Sequence, residues 1–228
     1  MAFKAVFFDR DGTLAYNDPM VIAQLNSLVI SWGGKPFPIG YDKMLELFHA
    51  ASQGAKPWYK NVEDERAFFH RYYQLMLKEF GLWEHLDERA TQILKLTWLR
   101  CLSVYPDVIG VLTYFQSQGY KMGVISNTSP SLELTLAAVG LDSYFTSYTA
   151  SSLAGASKPS PNIFNAALAA HGVTPGQSLF VDDDAVNTDA AREQGFTAFL
   201  IDRESKHQGE WVIRSLMEMV DFVQCQRG

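Results

Sequence analysis

The chain has 228 residues, which is enough for one large domain or for a core with a smaller insert. Apolar residues make up 47% of it, as is typical of a globular protein with a buried core. The formal net charge of −6 provides no general attraction to nucleic acid or to an anionic membrane, and we expect neither as a partner. With 2 cysteines, the sequence predicts neither a disulfide framework nor a thiolate metal site.

The sequence predicts neither a signal peptide nor a membrane-spanning segment. The apolar start of the sequence is too short, and becomes acidic too soon, for a secretory signal peptide. No stretch approaches the roughly 18 consecutive apolar residues that cross a bilayer. We therefore expect a soluble, cytoplasmic protein.

The first predicted element is a buried strand that ends at two carboxylates. Residues 3–8 are apolar except for Lys4, and Asp9, Asp11 and Gly12 follow. A short apolar run of this kind is typical of a strand in a parallel sheet, and ligands bind at the carboxyl ends of such strands. Two carboxylates in one cavity repel each other unless a cation neutralises them or one carries a proton. The alternative is a solvated turn, where Asp and Gly are common.

The next stretch, residues 17–102, shows helical periodicity. Apolar residues between Val21 and Val29 recur at spacings of three and four, which predicts an amphipathic helix. Glycines and prolines at 33–38 end this helix. Further helices are predicted at 41–51, 62–80 and 87–100.

From residue 104 onward the pattern alternates between helices and strands. The predicted helices are 108–118, 132–139, 161–171, 187–194 and a tail helix from about Trp211; the predicted strands are 120–125, 144–148, 178–181 and 197–201. Such alternation predicts a mostly parallel sheet flanked by helices. We predict an α/β class protein, with a Rossmann-like core of residues 1–15 and 104–228. The predicted insertion after the first strand is an all-helical cap domain of residues 16–103.

Two further polar clusters lie after predicted strands or in loops. Ser126 and Asn127 come directly after a strand, and their hydroxyl and amide groups are able to donate hydrogen bonds to a phosphoryl oxygen. The alternative is that they cap the helix that follows. Lys158 follows a loop of small residues, where it is able to place a positive charge on a phosphate, although isolated lysines are usually exposed.

Three consecutive acids, Asp182, Asp183 and Asp184, end another apolar strand. Mg²⁺ prefers hard oxygen ligands and usually takes one or two protein carboxylates together with waters and a substrate phosphate. Asn187 follows within one helical turn, where its side chain is placed to orient a metal ligand or a metal-bound water without binding the metal itself. The positive end of the following helix would explain one or two of these acids more easily than all three. We therefore predict a magnesium site.

In combination the clusters resemble the four-motif series of the haloacid dehalogenase-like hydrolase superfamily, most of whose members are phosphatases. The resemblance rests on residues 9–14, DRDGTL, on the serine, the lysine and the acid pair in that order, and on the segment from Phe180 to Gly195. The length and position of the predicted cap are similar to those of the helical-cap branch of the family.

The resemblance implies a role for each matching residue in phosphoryl transfer. Asp9 would be the nucleophile and one metal ligand. Asp11 would act first as general acid and then as general base, and its backbone carbonyl would bind the metal. Ser126 would bind the transferring phosphoryl group with Asn127 nearby, and Lys158 would hold both the phosphate and the nucleophile.

The resemblance also implies the arrangement of the magnesium site. Asp183 is favoured over Asp182 as the direct ligand, because its spacing to Asn187 and Gly195 suits that position. Asp182 and Asn187 would then support it, although the sequence leaves open which of the two acids binds the metal.

These roles predict a magnesium-dependent phosphatase that hydrolyses a small phosphorylated metabolite through an aspartyl-phosphate. Haloacid dehalogenases share the nucleophile but typically lack acids equivalent to Asp11, Asp182 and Asp183. A phosphomutase of the same fold, or a catalytically silent member that binds a phosphorylated ligand, stays open. A response-regulator-like phosphoacceptor would use similar acids and a lysine but would not carry a cap of this size. The sequence indicates neither the oligomeric state nor the particular ester.

Overall fold

The computed structural model describes residues 3–35, 41–52 and 59–226. The chain forms two compact units. The α/β unit contains Met1–Tyr16, Ser103–Thr128 and Leu132–Gly228. The helical unit contains Asn17–Leu102 together with the short segment Ser129–Ser131.

A six-stranded sheet forms the centre of the α/β unit. The strands of the described chain, in both of its sheets, are β1 (Ala5–Phe8), β2 (Ala15–Asn17), β3 (Leu102–Val104), β4 (Lys121–Ser126), β5 (Ser147–Ala150), β6 (Ser178–Asp182), β7 (Thr197–Ile201) and β8 (Val212–Ile213). The order in the six-stranded sheet is β5-β4-β1-β6-β7-β8, and every neighbouring pair is parallel. A separate two-stranded sheet consists of β2 and β3.

Helices make up the rest of the described secondary structure, apart from short 3₁₀ turns. The helical unit contains α1 (Pro19–Ser31), α2 (Tyr41–Ser52), α3 (Val62–Glu79) and α4 (Leu86–Thr97). The α/β unit contains α5 (Val108–Ser117), α6 (Leu132–Ala138), α7 (Ser151–Ala154), α8 (Pro161–His171), α9 (Ala185–Glu193) and α10 (Met217–Cys225). Within the described ranges, none of these helices has both the length and the apolar character needed to cross a membrane.

The buried strand β1 explains the apolar run at the start of the sequence. All four of its residues are fully buried, because β4 and β6 pair with its two edges and helices cover both faces. Val6 and Phe8 pack into the core on one face with residues of α5 and α10. Ala5 and Phe7 pack on the opposite face with residues of α8. A strand covered on both faces is apolar throughout, and its carboxyl end opens into a loop.

Local sequence signals explain several helix ends. Asp18 begins α1, since its side chain accepts a hydrogen bond from the backbone of Met20. Pro161 occupies the first turn of α8, where its missing N–H costs nothing, and Gly172 ends that helix with a φ of 62°. These signals placed the predicted helix at 161–171 without error.

The predicted α/β class and parallel sheet are confirmed, while some boundaries were wrong. The tail helix predicted from about Trp211 begins instead at Met217, and β8 occupies part of the interval. The strand predicted at 144–148 begins only at Ser147, after a 3₁₀ turn. Strands β2, β3 and β8 have 2–3 residues each, too few to produce a periodic pattern. The prolines predicted to end the first helix lie outside the described residues, and α1 ends before them.

Candidate active site

Three adjacent strands deliver the first group of polar side chains. Asp9 follows β1, and its backbone N–H donates to the Val181 carbonyl at 2.9 Å, which continues the pairing of β1 with β6. Asp182 is the last residue of β6, and Ser126 is the last residue of β4. Because parallel strands end at the same edge of the sheet, residues far apart in sequence meet there.

The Lys158 ammonium lies between two of these carboxylates. Its Nζ donates to Asp9 Oδ1 at 2.6 Å and to Asp182 Oδ2 at 2.5 Å. The relative exposures of Lys158, Asp9 and Asp182 are 5%, 5% and 1%. An isolated lysine is usually exposed, so burial of this one between two acids contradicts the surface alternative.

A third carboxylate completes the acidic cluster. Oxygen atoms of Asp9, Asp182 and Asp183 all lie within 4.8 Å of one another. Asp183 Oδ2 packs against the backbone of Gly12, where a Cβ atom would lie only 2.0 Å away. Gly12 has a φ of 75°, which glycine adopts readily, so it serves both the turn and the close approach of Asp183.

The electrostatics of the cluster show an excess of negative charge. Burial raises the pKa of Asp9 to about 8, and repulsion from Asp182 adds to this while the Lys158 ammonium opposes it. Burial and the neighbouring Asp182 raise the pKa of Asp183 to about 6. Burial lowers the pKa of Lys158, but the carboxylates of Asp9 and Asp182 outweigh it and raise that pKa overall. One ammonium does not balance three carboxylates, so a divalent cation would stabilise their ionised forms.

The donor set fits Mg²⁺ in its chemistry. Carboxylate oxygens are the hard ligands that Mg²⁺ takes in proteins. The oxygens of Asp182 already have protein partners: Oδ1 accepts from the Asp184 N–H at 2.9 Å and from Asn187 Nδ2 at 3.1 Å, and Oδ2 accepts from Lys158. Asp184 itself caps α9 by accepting from the Val186 N–H at 2.8 Å, so the helix-end alternative explains this acid.

Asn127 lies beside Lys158 and contacts its backbone. Its Nδ2 donates to the Lys158 carbonyl at 2.9 Å, and its Oδ1 accepts from the Lys158 N–H at 2.7 Å. Ser126 is buried at the end of β4. Since α6 begins only at Leu132, capping of that helix does not explain Ser126 or Asn127.

The Asp11 carboxylate is not one of the three acids of the cluster, and Arg10 binds it. Its carboxylate is held by the Arg10 guanidinium, with Nε to Oδ1 at 3.1 Å and Nη2 to Oδ2 at 2.8 Å, and its side chain is 53% exposed. Arg10 also donates to the hydroxyls of Thr128 and Thr135. Sequence reasoning missed Arg10, although an arginine between two aspartates was a visible signal of a local ion pair.

Comparison with known proteins decides the family. A sequence model described as haloacid dehalogenase-like hydrolase matches residues 3–195. The chain belongs to the haloacid dehalogenase-like hydrolases. The resemblance inferred from the motifs is therefore confirmed, and so is the expectation of a hydrolase.

Individual members of the haloacid dehalogenase-like family are similar to the chain over most of its length. It is 26% identical over 235 residues to a phosphatase of Mycobacterium tuberculosis, with 96% of each protein covered. It is 25% identical over 211 residues to a phosphoglycolate phosphatase of Cupriavidus necator, covering 86% of this chain and 80% of that protein. A solved 2-haloacid dehalogenase of Pseudomonas syringae matches with a TM-score of 0.70 and 19% identity over 99% of this chain and 100% of the other, which shows a shared fold.

Proposed function

We propose that the protein is a magnesium-dependent phosphatase that hydrolyses a small phosphorylated metabolite. The observation that carries the proposal is the buried Lys158 ammonium, bonded to Asp9 and Asp182 while Asp183 lies in the same cluster. Such an arrangement holds a nucleophilic carboxylate in place and leaves negative charge for a divalent cation. Phosphoryl transfer requires mainly alignment and charge neutralisation of this kind.

Asp9 would react with the phosphate ester in two steps. Its carboxylate oxygen attacks phosphorus, the bond from phosphorus to the ester oxygen breaks, and an aspartyl-phosphate forms. Asp11 gives its proton to the departing oxygen. In the second step Asp11 takes a proton from water, which attacks the same phosphorus and releases phosphate and the Asp9 carboxylate. Bound Mg²⁺ would supply positive charge to the phosphoryl oxygens throughout.

The hydrogen bonds favour different roles for Asp182 and Asp183. Asp182 would hold Lys158 in place, because its oxygens are engaged by Lys158, Asn187 and the Asp184 backbone. Asp183 would be the direct metal ligand, together with Asp9 and the backbone carbonyl of Asp11. Asn187 would act through Asp182.

The phosphoryl group would be held by the other polar residues. Ser126 would donate to a phosphoryl oxygen, and Lys158 would contribute its positive charge. Asn127 would act by fixing the backbone of Lys158, and a direct contact of its amide with phosphate stays a prediction.

The helical unit would serve as the cap domain of residues 16–103, inserted into a core of residues 1–15 and 104–228. We infer a small metabolite as the substrate because a helical lid that excludes water leaves little room for a macromolecule. The relative named for phosphoglycolate acts on an ester of this size. The acids at Asp11, Asp182 and Asp183 favour phosphorus over the carbon that haloacid dehalogenases attack.

Phosphate release from a panel of small phosphate esters tests the proposal, with and without Mg²⁺, for the wild-type protein and Asp9→Asn. We expect turnover that requires Mg²⁺ and disappears in the variant. Turnover that survives Asp9→Asn would eliminate the nucleophile. Absence of turnover on every ester, in folded protein that binds Mg²⁺, would contradict the phosphatase and favour a phosphomutase or a catalytically silent protein.

A further inference from the structure

The Arg10 side chain links the first motif to the segment that follows β4. Its guanidinium makes two hydrogen bonds to the Asp11 carboxylate, at 3.1 and 2.8 Å. It makes two more to hydroxyl groups, Thr128 Oγ1 at 2.9 Å and Thr135 Oγ1 at 3.0 Å. The side chain of Arg10 is 12% exposed; its bonds to the two threonines are partly buried, whereas its bonds to Asp11 are open to solvent.

The same contacts leave the orientation of Asp11 dependent on Arg10. Among the described residues, the side-chain hydrogen bonds to the Asp11 carboxylate come from Arg10. Half of the Asp11 side chain is exposed, and a carboxylate in that setting would otherwise sample several rotamers. A two-pronged bond from a planar guanidinium fixes both the position and the plane of the ionised carboxylate, and a protonated Asp11 would keep one of the two bonds through its carbonyl oxygen.

The threonine partners determine where Asp11 is held. Thr128 lies two residues after Ser126, the residue proposed to bind the phosphoryl group, and Thr135 is buried in α6. Arg10 therefore ties the proposed proton donor to the chain segment that carries the proposed phosphoryl-binding serine. Displacement of a reacting group by about 1 Å is enough to lower a rate by about 10²-fold.

We propose that Arg10 is a positioning residue for the proton-transfer step, anchoring Asp11 to the segment after β4. The inference rests on the proposed function, because it assigns Asp11 the role of acid and base. It goes beyond that function by giving a role to Arg10, whose side chain bonds to Asp11, Thr128 and Thr135.

Leaving-group chemistry separates this role from a merely structural one. An alkyl oxygen needs a proton to depart, whereas acetate departs from acetyl phosphate without one. Arg10→Gln should therefore lower kcat by about 10- to 100-fold on the best alkyl ester of the panel. Formation of the aspartyl-phosphate from acetyl phosphate, followed as the first-turnover burst of acetate, should change by less than about threefold, and KM for the alkyl ester should change little.

The matched control is Arg192→Gln. Arg192 forms a comparable local ion pair with Asp189 at 2.6 Å and donates to the Ala198 carbonyl at 3.0 Å, outside the acidic cluster. It should leave both reactions unchanged. Arg10→Lys keeps the charge without the two-pronged geometry and should show the same selectivity with a smaller loss. Thermal unfolding of every variant establishes that it is folded.

Asp11→Asn in the same assay separates failure of the inference from failure of the proposed function. If Asp11→Asn is selective for the alkyl ester while Arg10→Gln slows both reactions equally, slows neither, or is faster than wild type, the positioning role is overturned and the proposed function stands. If Asp11→Asn shows no selectivity, Asp11 is not the acid, and both the proposed mechanism and the role of Arg10 are overturned.

Discussion

The side-chain amide of Asn127 binds the backbone of Lys158 on both of its polar groups, with Nδ2 to the carbonyl at 2.9 Å and Oδ1 to the N–H at 2.7 Å. This pair joins the residue after β4 to the residue that carries the buried ammonium. The position of the Lys158 ammonium between Asp9 and Asp182 thus depends on the side chain of Asn127, 31 positions earlier in the sequence.

Asn127→Ala should lower kcat by about 10- to 100-fold, because loss of both bonds releases the Lys158 backbone and misplaces its ammonium. The free energy of unfolding should fall by about 1–2 kcal/mol, as expected for two partly exposed hydrogen bonds. Steady-state kinetics and chemical denaturation measure the two effects. Asn162→Ala, at an exposed position of α8, is the control and should change neither. An unchanged kcat in Asn127→Ala would show that Lys158 is held by other contacts.

Gly12→Ala should weaken Mg²⁺ binding and activity, because the new Cβ would lie 2.0 Å from Asp183 Oδ2 and would displace that carboxylate. Gly140→Ala is the matched control: Gly140 has the same φ of 75°, and a Cβ atom there meets no atom within 4 Å. Both variants should lose about 1 kcal/mol of stability from backbone strain.

Calorimetric Mg²⁺ titrations of the two glycine variants distinguish the effects. Only Gly12→Ala should bind Mg²⁺ more weakly, by about 10-fold or more, in line with the loss seen when metal ligands lose their support. Equal affinity in the two variants would argue against Asp183 as a ligand.

Lys158→Met should reduce the free energy of unfolding by about 3–5 kcal/mol in the absence of Mg²⁺, because it leaves Asp9 and Asp182 buried without their cation. Added Mg²⁺ should restore part of the loss. Lys121→Met removes a lysine that donates to the His171 carbonyl at 2.7 Å, and we expect a loss of about 1 kcal/mol. Denaturant titrations with and without Mg²⁺ make the comparison. A loss in Lys158→Met no larger than that in Lys121→Met would contradict the buried charge balance.

Asp202 should make the α/β unit sensitive to acid. Burial would raise the pKa of Asp202, but hydrogen bonds from the His207 N–H, Arg214 and the Glu204 N–H hold it at about 2, below the ordinary 3.8. A carboxyl with a lowered pKa in the folded state stabilises that state above pH 4, and the contribution disappears as the pH falls from about 4 to 2.

Thermal unfolding across this pH range tests the acid sensitivity. Asp202→Asn should be less stable than wild type at pH 7 and should lose less of its remaining stability between pH 4 and pH 2. Asp221→Asn, at an exposed position of α10, should follow the wild-type curve. Parallel curves for wild type and Asp202→Asn would disprove the contribution.

Much of the fold could be predicted from the periodicity of apolar residues and from the rule that parallel strands end at the same edge of a sheet. The apolar runs before Asp9, Ser126 and Asp182 predicted three strands, and parallel pairing then required their carboxyl ends to meet. In the structure the Lys158 ammonium donates to both Asp9 and Asp182, so the ends of β1 and β6 do meet. Short elements such as β8 could not be predicted, because two residues are too few to show a periodic pattern of apolar side chains.

The sequence did not predict which side chains and backbone groups bond to one another. A pattern of residue types places Asn127 and Lys158 at one sheet edge, but the bond between an amide and a backbone peptide depends on the path of the loop. The same holds for Arg203, which forms an ion pair with Asp107 at 3.0 Å and donates to the Thr13 carbonyl at 2.9 Å. These contacts join residues far apart in sequence, and their residue types have many other uses.

The most direct test of the account is the covalent intermediate on Asp9. The protein would be mixed with Mg²⁺ and its best ester, quenched in acid within the first turnover, digested and examined by mass spectrometry. We expect one added phosphoryl group on the peptide that contains Asp9, absent from Asp9→Asn and accumulating in Asp11→Asn when acetyl phosphate is the donor. A phosphoryl group on another residue, or rapid turnover with no covalent species in either protein, would contradict the mechanism.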